Sequence, residues 1–379
     1  MPDAPPVPDT PPLLQVLDAE GKVRGPIPRN LTKDDLRTLY RAMVQTRLFD
    51  QRGLNLQRQG RIGFFVPGAG QEASQVGAGF AIRPGDWIYP SYRMHSVALL
   101  LGVEVRALFD QMWGNGRDVG HGRQMPNHFS FRAIHWVSIS SPIGTQISQA
   151  TGTARAAQLR GDDAVTWAWF GDGGTSSNDF HAGLNFAGVW RVPAVFVCEN
   201  NHWAISVPET KQTASSSFAA KAQAYGIRGV RVDGNDVLAV VQAAQEAREW
   251  AAAGNGPTLL ETVTFRMGPH SSSDDPKRYQ APELFEAWQK KDPIDRFRAY
   301  LKGKRIWTKA WEEAFKTAFL AQVAEAVDDA ENAPPPEVET LFEDVYARMP
   351  PALREERDGV LERIRADGEI EDAGGAFPL

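Results

Sequence analysis

The residues best suited to chemistry are a glycine-rich turn and a pair of asparagines, each placed after an apolar run. The turn reads Gly171-Asp172-Gly173-Gly174 and follows the apolar run at 164–170. An interval of 26 residues separates Gly173 from Asn200-Asn201, which stands at the end of the next run. Glycines let the backbone approach a phosphate, and helix-terminal amides favour negative charge. Because structural turns between a strand and a helix also use glycine, the turn alone leaves phosphate binding open.

The asparagine pair strengthens the case for a ligand site. If both apolar runs are strands of one parallel sheet, both motifs lie at strand carboxyl ends, where open α/β sheets bind ligands. Asp172 supplies an anionic oxygen and Asn201 a neutral carbonyl oxygen, which suit Mg²⁺ held beside diphosphate oxygens. A dinucleotide site needs no such metal, so the pattern predicts a magnesium-diphosphate site.

The elements that would position these residues alternate between strand and helix. Apolar runs at 164–170, 194–199 and 258–265 predict strands, and amphipathic runs at 177–190 and 237–253 predict helices. This order favours an α/β fold with a doubly wound, mainly parallel sheet. Asn30 is a candidate cap for the first helix.

Three regions are expected along the chain. Residues 1–30 form a Pro-rich arm of a kind that often lies across a partner subunit, residues 31–300 form the diphosphate-binding domain, and residues 301–379 form a helical extension.

Composition excludes several classes of protein. The 379 residues are 42% hydrophobic and carry a net charge of −6, which fits a globular enzyme and argues against nucleic acid as a partner. No window suits a membrane helix. The single cysteine, Cys198, excludes an internal disulfide and suits a reducing compartment. The first 21 residues lack Lys and Arg, unlike secretion or transit signals, so we expect a cytoplasmic protein.

The turn and the asparagine pair together resemble the thiamine diphosphate motif. With their flanks, at 171–176 and 199–206, they resemble the α chain of the decarboxylating component of 2-oxo acid dehydrogenase complexes, and the similarity extends from Leu36 to Arg298. The resemblance implies the thiamine-diphosphate-binding fold, thiamine diphosphate and Mg²⁺ as cofactors, and a 2-oxo acid as substrate. It also implies an α2β2 heterotetramer with a separate β subunit and a lipoyl-bearing acyltransferase as the next partner. In this family the Glu that contacts the pyrimidine comes from the β chain, so this chain would be half of an active site.

Carried over position by position, the resemblance assigns site residues. The metal ligands are Asp172, Asn201 and the main-chain carbonyl of Trp203. The cofactor contacts are Tyr92, Arg93, Ser141, Ile143, Gly171, Asp172, Gly173, Gly174, Asn201, Arg266 and His270. The catalytic candidates are His270 and His128, and the substrate contacts are Phe64, Tyr92 and His128. In some relatives a monovalent cation, K⁺ here, is bound at the positions of Ser140, Pro142, Thr145 and Gln146.

Several segments bear on the substrate. Residues 122–128 and 140–146 resemble branched-chain (2-oxoisovalerate) enzymes, whereas 65–73 and 268–270 also resemble bacterial chains acting on pyruvate or several 2-oxo acids. We expect the branched-chain activity, with a pyruvate or acetoin dehydrogenase α chain as the alternative. A noncatalytic assembly subunit is a further alternative. A nicotinamide-dependent oxidoreductase fits poorly, because the turn lacks G-x-G-x-x-G and position 176 is Ser.

Three expectations concern individual side chains. Glu199 stands where animal branched-chain enzymes have an Arg, so we expect it to face away from the diphosphate or to pair with Arg93 or Arg266. The His270 imidazole is expected to titrate near the operating pH and to assist proton transfer. Phe64 would ordinarily be core, and its place in the substrate pocket rests on the resemblance.

Overall fold

A six-stranded parallel sheet forms the centre of the computed structural model, which describes residues 10–367. The first nine residues of the expected arm and residues 368–379 of the expected extension lie outside the described residues. The strands are β1 (Leu13–Leu14), β2 (Trp87–Tyr89), β3 (Thr166–Gly171), β4 (Ala194–Asn200), β5 (Trp203–Ala204), β6 (Val207–Pro208), β7 (Arg228–Asp233) and β8 (Thr258–Val263). The large sheet has the order β1-β7-β8-β4-β3-β2, with every adjacent pair parallel, and β5 and β6 form a small antiparallel hairpin.

The helices cover both faces of the sheet. They are α1 (Lys33–Arg58), α2 (Glu72–Gly79), α3 (His95–Leu100), α4 (Val105–Trp113), α5 (Thr145–Arg160), α6 (Asn178–Trp190), α7 (Val237–Ala252), α8 (Pro282–Gln289), α9 (Pro293–Gly303), α10 (Lys309–Glu331), α11 (Thr340–Glu343) and α12 (Pro351–Asp367).

Side chains along β3 alternate between two hydrophobic clusters, one on each face of the sheet. Trp167 and Trp169 pack in the cluster that contains α1, α2 and α7, whereas Ala168 and Phe170 pack in the cluster that contains α5 and α6. Successive side chains of a strand point to opposite faces, so one apolar strand serves both layers. The predicted doubly wound α/β fold is confirmed.

The first helix begins with a different cap from the one expected. Thr32 accepts a hydrogen bond from the amide of Asp35, and the Asp35 carboxylate accepts one from the amide of Thr32. The prediction of an Asn30 cap is therefore wrong, because Asn30 has a left-handed backbone with φ 65° and lies two residues before the reciprocal capping box.

Parts of the expected arm and of the expected helical extension pack on the main fold. The strand β1 lies beside β7, and the amides of Val16 and Leu17 donate to the Asp236 carboxylate at 2.7 and 2.6 Å. This part of the expected arm therefore packs on its own chain. In the expected helical extension, α10 buries Phe319 and Val327 in the core that it shares with α1 and α4. Among the described helices, none combines the length and apolar character needed to cross a membrane.

Candidate functional site

A pocket of about 370 Å³ opens at the carboxyl ends of β3 and β4. The fold brings together most of the residues proposed from the sequence. Those that line the pocket are Tyr92, Arg93, Ser140, Ser141, Ile143, Gln146, Gly171, Asp172, Gly173, Gly174, Asn201, Trp203 and His270. Phe64, His128, Pro142, Thr145 and Arg266 were also proposed but do not line it.

Asp172 is the first residue after β3 and is fully buried. Its Oδ2 accepts a hydrogen bond from Gln212 Nε2 at 2.5 Å, whereas its Oδ1 is buried without a hydrogen-bond partner among residues 10–367. Burial raises the pKa of Asp172 to about 6. A buried carboxylate oxygen with no donor is costly, and a bound cation would remove that cost.

The Asn201 side chain is fixed by two neighbours. Its Nδ2 donates to Gln71 Oε1 at 2.9 Å, and its Oδ1 accepts from the Trp203 amide at 3.1 Å. The Trp203 carbonyl accepts from Arg266 Nη1 at 3.3 Å. Asp172, Asn201 and Trp203 thus present the hard oxygen ligands that Mg²⁺ prefers. No group of three or more His, Cys, Asp or Glu that could hold a metal occurs in the described part of the chain.

The glycines of the turn leave room for a ligand. A Cβ on Gly171 would have no neighbour nearer than the Glu199 carbonyl oxygen at 4.0 Å, so this side of the turn is open. A Cβ on Gly173 would come within 2.7 Å of Ala204 Cβ, which requires glycine for close packing of the turn against β5. The turn itself is a short 3-10 helix at Asp172–Ser176.

Arg93 and His270 are held together at the pocket wall. Arg93 Nη1 donates to the Pro67 carbonyl at 2.6 Å, and Nη2 donates to the His270 carbonyl at 2.7 Å and lies 2.9 Å from His270 Nδ1. Since the guanidinium can only donate, Nδ1 accepts and the ring proton is on Nε2. The Tyr92 ring packs edge-on against the imidazole.

The ionisation of His270 differs from the expectation. Burial and the positive charges of Arg93 and Arg266 lower the pKa of His270 to about 3. The prediction that this imidazole titrates near the operating pH is therefore wrong for the cofactor-free site. The main physical reason is burial, which disfavours the charged imidazolium, and the guanidinium groups of Arg93 and Arg266 add to the effect by opposing a third positive charge.

Arg266 lies behind the pocket and is buried. Besides the Trp203 carbonyl, its guanidinium donates to the Ile205 carbonyl at 2.6 Å and to Tyr279 Oη at 2.5 Å. Tyr279 Oη donates to Asp274 at 2.5 Å, and burial lowers the pKa of Arg266. This network connects the loop at 266–279 to the carbonyls of Trp203 and Ile205.

His128 also lies behind the pocket wall. It is buried, and its Nε2 is 2.6 Å from Ser141 Oγ. Its contact with the pocket is therefore through Ser141. Phe64 is partly exposed and outside the pocket, whereas its neighbour Phe65 is buried against Phe49 at a ring distance of 6.2 Å.

The four residues proposed for a monovalent cation are close in the chain, and one of them has a spare acceptor. Gln146 Nε2 donates to the Trp169 carbonyl at 2.9 Å, which leaves Oε1 buried without a partner among the described residues. Thr145 Oγ1 donates to the Pro142 carbonyl at 3.1 Å. Carbonyl and hydroxyl oxygens of this kind could coordinate a cation.

Glu199 lines the pocket and is buried, but neither Arg93 nor Arg266 contacts it. Its carboxylate accepts from Ser74 Oγ at 3.1 Å and from Gln75 Nε2 at 3.5 Å. Burial raises the pKa of Glu199 to about 7. Of the two expected arrangements, pairing with Arg93 or Arg266 is therefore wrong, because the neutral donors Ser74 and Gln75 on α2 hold the carboxylate instead.

Two contact residues were missed by sequence reasoning. Gln71 orients the Asn201 amide, and Gln212 holds one oxygen of Asp172. Gln71 was detectable in principle, because it stands between a loop and α2 in the segment at 65–73 that carries the resemblance. Gln212 has no local signal in the sequence.

The parallel sheet, with an acid, an amide and a glycine turn at its strand ends, defines a cofactor-dependent α/β enzyme. The chain matches the family described as Dehydrogenase E1 component over residues 40–339, and it belongs to that family. It is an α subunit of the E1 component of a 2-oxo acid dehydrogenase, a family that implies thiamine diphosphate as cofactor and a β subunit as partner.

Similar proteins include both substrate types. The chain is 42% identical to the 3-methyl-2-oxobutanoate dehydrogenase subunit alpha of Mycobacterium tuberculosis over 342 residues, which cover 89% of each chain. It is 38% identical to the human mitochondrial 2-oxoisovalerate dehydrogenase subunit alpha over 360 residues, covering 94% of this chain and 81% of the human one. It is also 42% identical to the pyruvate dehydrogenase E1 component subunit alpha of Bacillus cereus over 346 residues, covering 90% and 91%.

Proposed function

We propose that this chain is the α subunit of a branched-chain 2-oxo acid dehydrogenase, which oxidatively decarboxylates 2-oxoisovalerate-type acids. It acts in an α2β2 heterotetramer and acylates the lipoyl group of the acyltransferase of its complex. The observation that carries the proposal is the buried Oδ1 of Asp172, which has no hydrogen-bond partner within residues 10–367 and lies with Asn201 in a pocket with an open glycine turn. The branched-chain assignment is supported by the segments at 122–128 and 140–146 and by the mycobacterial and human relatives.

The residues present suit Mg²⁺ and thiamine diphosphate. Asp172, the Asn201 amide oxygen and the Trp203 carbonyl would hold Mg²⁺, and Arg93 would offset the diphosphate charge. The exposed aliphatic side chain of Ile143 lies on the pocket wall, where it can pack against the organic part of the cofactor. Gln146 Oε1, which has no hydrogen-bond partner in the described part of the chain, supports K⁺ as a second cation.

Thiamine diphosphate, when bound, supplies the electron sink for decarboxylation. The residues of this chain would bind and orient the cofactor and hold protons near it. Arg93 fixes the His270 ring, and Nε2 keeps a proton that it can donate to a reacting oxygen. Ser141 and His128 form a hydrogen-bonded pair at the same wall. A cytoplasmic location is part of the proposal, and the buried free thiol of Cys198 is compatible with a reducing compartment.

The metal assignment is tested by Asp172→Ala and Asn201→Ala in the enzyme reconstituted with its β subunit. We expect each to weaken Mg²⁺-dependent thiamine diphosphate binding by more than roughly tenfold, about 1.4 kcal/mol. The control is Asp179→Ala, because Asp179 lies outside the pocket and pairs with Ser148. Calorimetric titration measures all three, and unchanged affinity in both pocket variants would remove the metal site.

The substrate assignment is tested by comparing kcat/KM for 3-methyl-2-oxobutanoate and pyruvate. A pyruvate dehydrogenase α subunit is the second candidate, favoured by the Bacillus cereus relative and by the segment at 65–73. A higher value for pyruvate would assign the chain to that branch. Failure to turn over either acid, with cofactor binding intact, would favour a noncatalytic assembly subunit.

A further inference from the structure

Asp50 and His95 form a hydrogen-bonded pair in the core, away from the pocket lining. Asp50 lies on α1 and is 1% exposed, and His95 opens α3 and is fully buried. His95 Nε2 lies 2.5 Å from Asp50 Oδ1. His95 Nδ1 is buried and has no hydrogen-bond partner within the described residues, so the ring proton belongs on Nε2, where it is donated to Asp50.

The second oxygen of Asp50 reaches the segment that holds Arg93. Asp50 Oδ2 accepts from the Gly68 amide at 2.9 Å. The preceding carbonyl, that of Pro67, accepts from Arg93 Nη1 at 2.6 Å. The following carbonyl, that of Ala69, accepts from the Met267 amide at 3.0 Å. One buried carboxylate therefore fixes the middle of a segment whose flanking carbonyls bind Arg93, a pocket-wall residue, and the backbone of Met267, which follows Arg266.

The segment has little freedom to move without moving Arg93. A Cβ on Gly68 would come within 3.2 Å of the Arg93 carbonyl oxygen, so the two backbones are closely packed. The described hydrogen-bond partners of the Arg93 guanidinium are the Pro67 carbonyl and His270, and the group also lies over the Tyr92 ring at 5.2 Å. Displacing Gly68 would therefore alter the direction of the guanidinium and, through it, of the His270 imidazole.

The surroundings of the pair are aromatic rather than polar. The His95 ring lies 5.2 Å from the Phe49 ring and 6.0 Å from the Phe65 ring. An apolar side chain would pack well there, whereas a buried carboxylate is costly unless donors satisfy it. Asp50 has two such donors, the Gly68 amide and His95 Nε2.

We propose that Asp50 and His95 are a positioning pair, which holds Gly68 so that the Pro67 carbonyl directs Arg93 and His270 toward the cofactor diphosphate. This inference rests on the proposed function, because it takes the diphosphate as the group that Arg93 binds. Neither residue of the pair touches the ligand pocket.

The test compares His95→Gln with His95→Leu in the enzyme reconstituted with its β subunit. Both variants lose the imidazole, but only Gln keeps an N–H that can donate to Asp50 Oδ1. We expect His95→Gln to bind Mg²⁺-thiamine diphosphate within about threefold of the parent, and His95→Leu to bind at least about tenfold more weakly in calorimetric titration. Equal affinity in the two variants would overturn the proposal.

A matched control separates positioning from loss of stability. Asp110→Asn changes an equally buried carboxylate on α4, which pairs with Asn115 and Arg117 outside the pocket. We expect this variant to lower the thermal midpoint with unchanged cofactor affinity. If Asp110→Asn weakened the cofactor as much as His95→Leu, general destabilisation would explain the effect and the proposal would be wrong. If the parent enzyme itself failed to bind thiamine diphosphate, the proposed function would fall as well, a result distinct from failure in the variants alone.

Discussion

Replacing Asp172 with Asn removes a buried carboxylate whose ionisation lowers the free energy of unfolding. The side chain is fully buried, with one oxygen bonded to Gln212 and the other without a partner in the described structure. Asn keeps the size of the side chain and one oxygen acceptor for Gln212. It cannot supply the anionic oxygen that the metal needs, so the variant should lose Mg²⁺-dependent cofactor binding.

The stability effect follows from the direction of the pKa shift. Because burial raises the pKa of Asp172 from 3.8 to about 6, the folded protein binds this proton more tightly than the unfolded chain. Its contribution to stability is fully present below pH 3.8 and is lost as the pH rises through about 6. The loss totals about 3 kcal/mol, of which about 1.5 kcal/mol falls between pH 5 and pH 7.5. Asn does not titrate, so the variant does not lose this stability as the pH rises.

The assay is urea unfolding of magnesium-free, cofactor-free enzyme at several pH values. Parent and Asp172→Asn share the same β subunit, so the difference between their unfolding free energies isolates this side chain. We expect that difference to shift in favour of the variant by about 1.5 kcal/mol from pH 5 to pH 7.5. The side-chain amide of the introduced Asn does not titrate, so any change that it makes in the free energy of unfolding is the same at every pH. A difference that stays flat over this range would refute the argument that Asp172 is buried as a strained anion.

Three further predictions concern the substrate, the loop and the imidazole. Phe64→Ala should reduce discrimination for branched 2-oxo acids over pyruvate by about 1 to 3 kcal/mol, measured from kcat/KM ratios, and an unchanged ratio with lower stability would make Phe64 a packing residue. Trypsin should cut after the exposed Lys277 or Arg278 in cofactor-free protein and more slowly with Mg²⁺ and thiamine diphosphate; equal rates would contradict ordering of the loop at 266–278 by the ligand. His270→Ala should keep most cofactor affinity and lose acyl transfer to the lipoyl group, and normal transfer would exclude the catalytic role. In the parent, the pKa of His270 should rise from about 3 when a bound diphosphate offsets the neighbouring guanidinium groups, a shift that histidine NMR can follow.

The sequence by itself predicted the parallel sheet and the two strand ends that carry the candidate ligands Asp172 and Asn201. Asp172 and Asn201 each stand next to the end of an apolar run, and parallel strands place such ends at one edge. The glycines of the turn were equally visible, because their lack of a Cβ is a local property that needs no partner. These features depend on short segments and on the period of the apolar pattern, so they can be recognised from the amino-acid sequence alone.

The tertiary structure alone decided which distant side chains complete the site. Gln71 lies 130 positions from Asn201, and Asp50 lies 45 positions from His95, so no periodicity connects either pair. The ionisation of His270 was also beyond the sequence, because the pKa depends on burial and on guanidinium groups brought in from elsewhere. The local sequence pattern indicates which backbone conformation a segment prefers. Hydrogen-bond partners and charge states depend on the distances between segments that are remote in the chain, and only packing sets those distances.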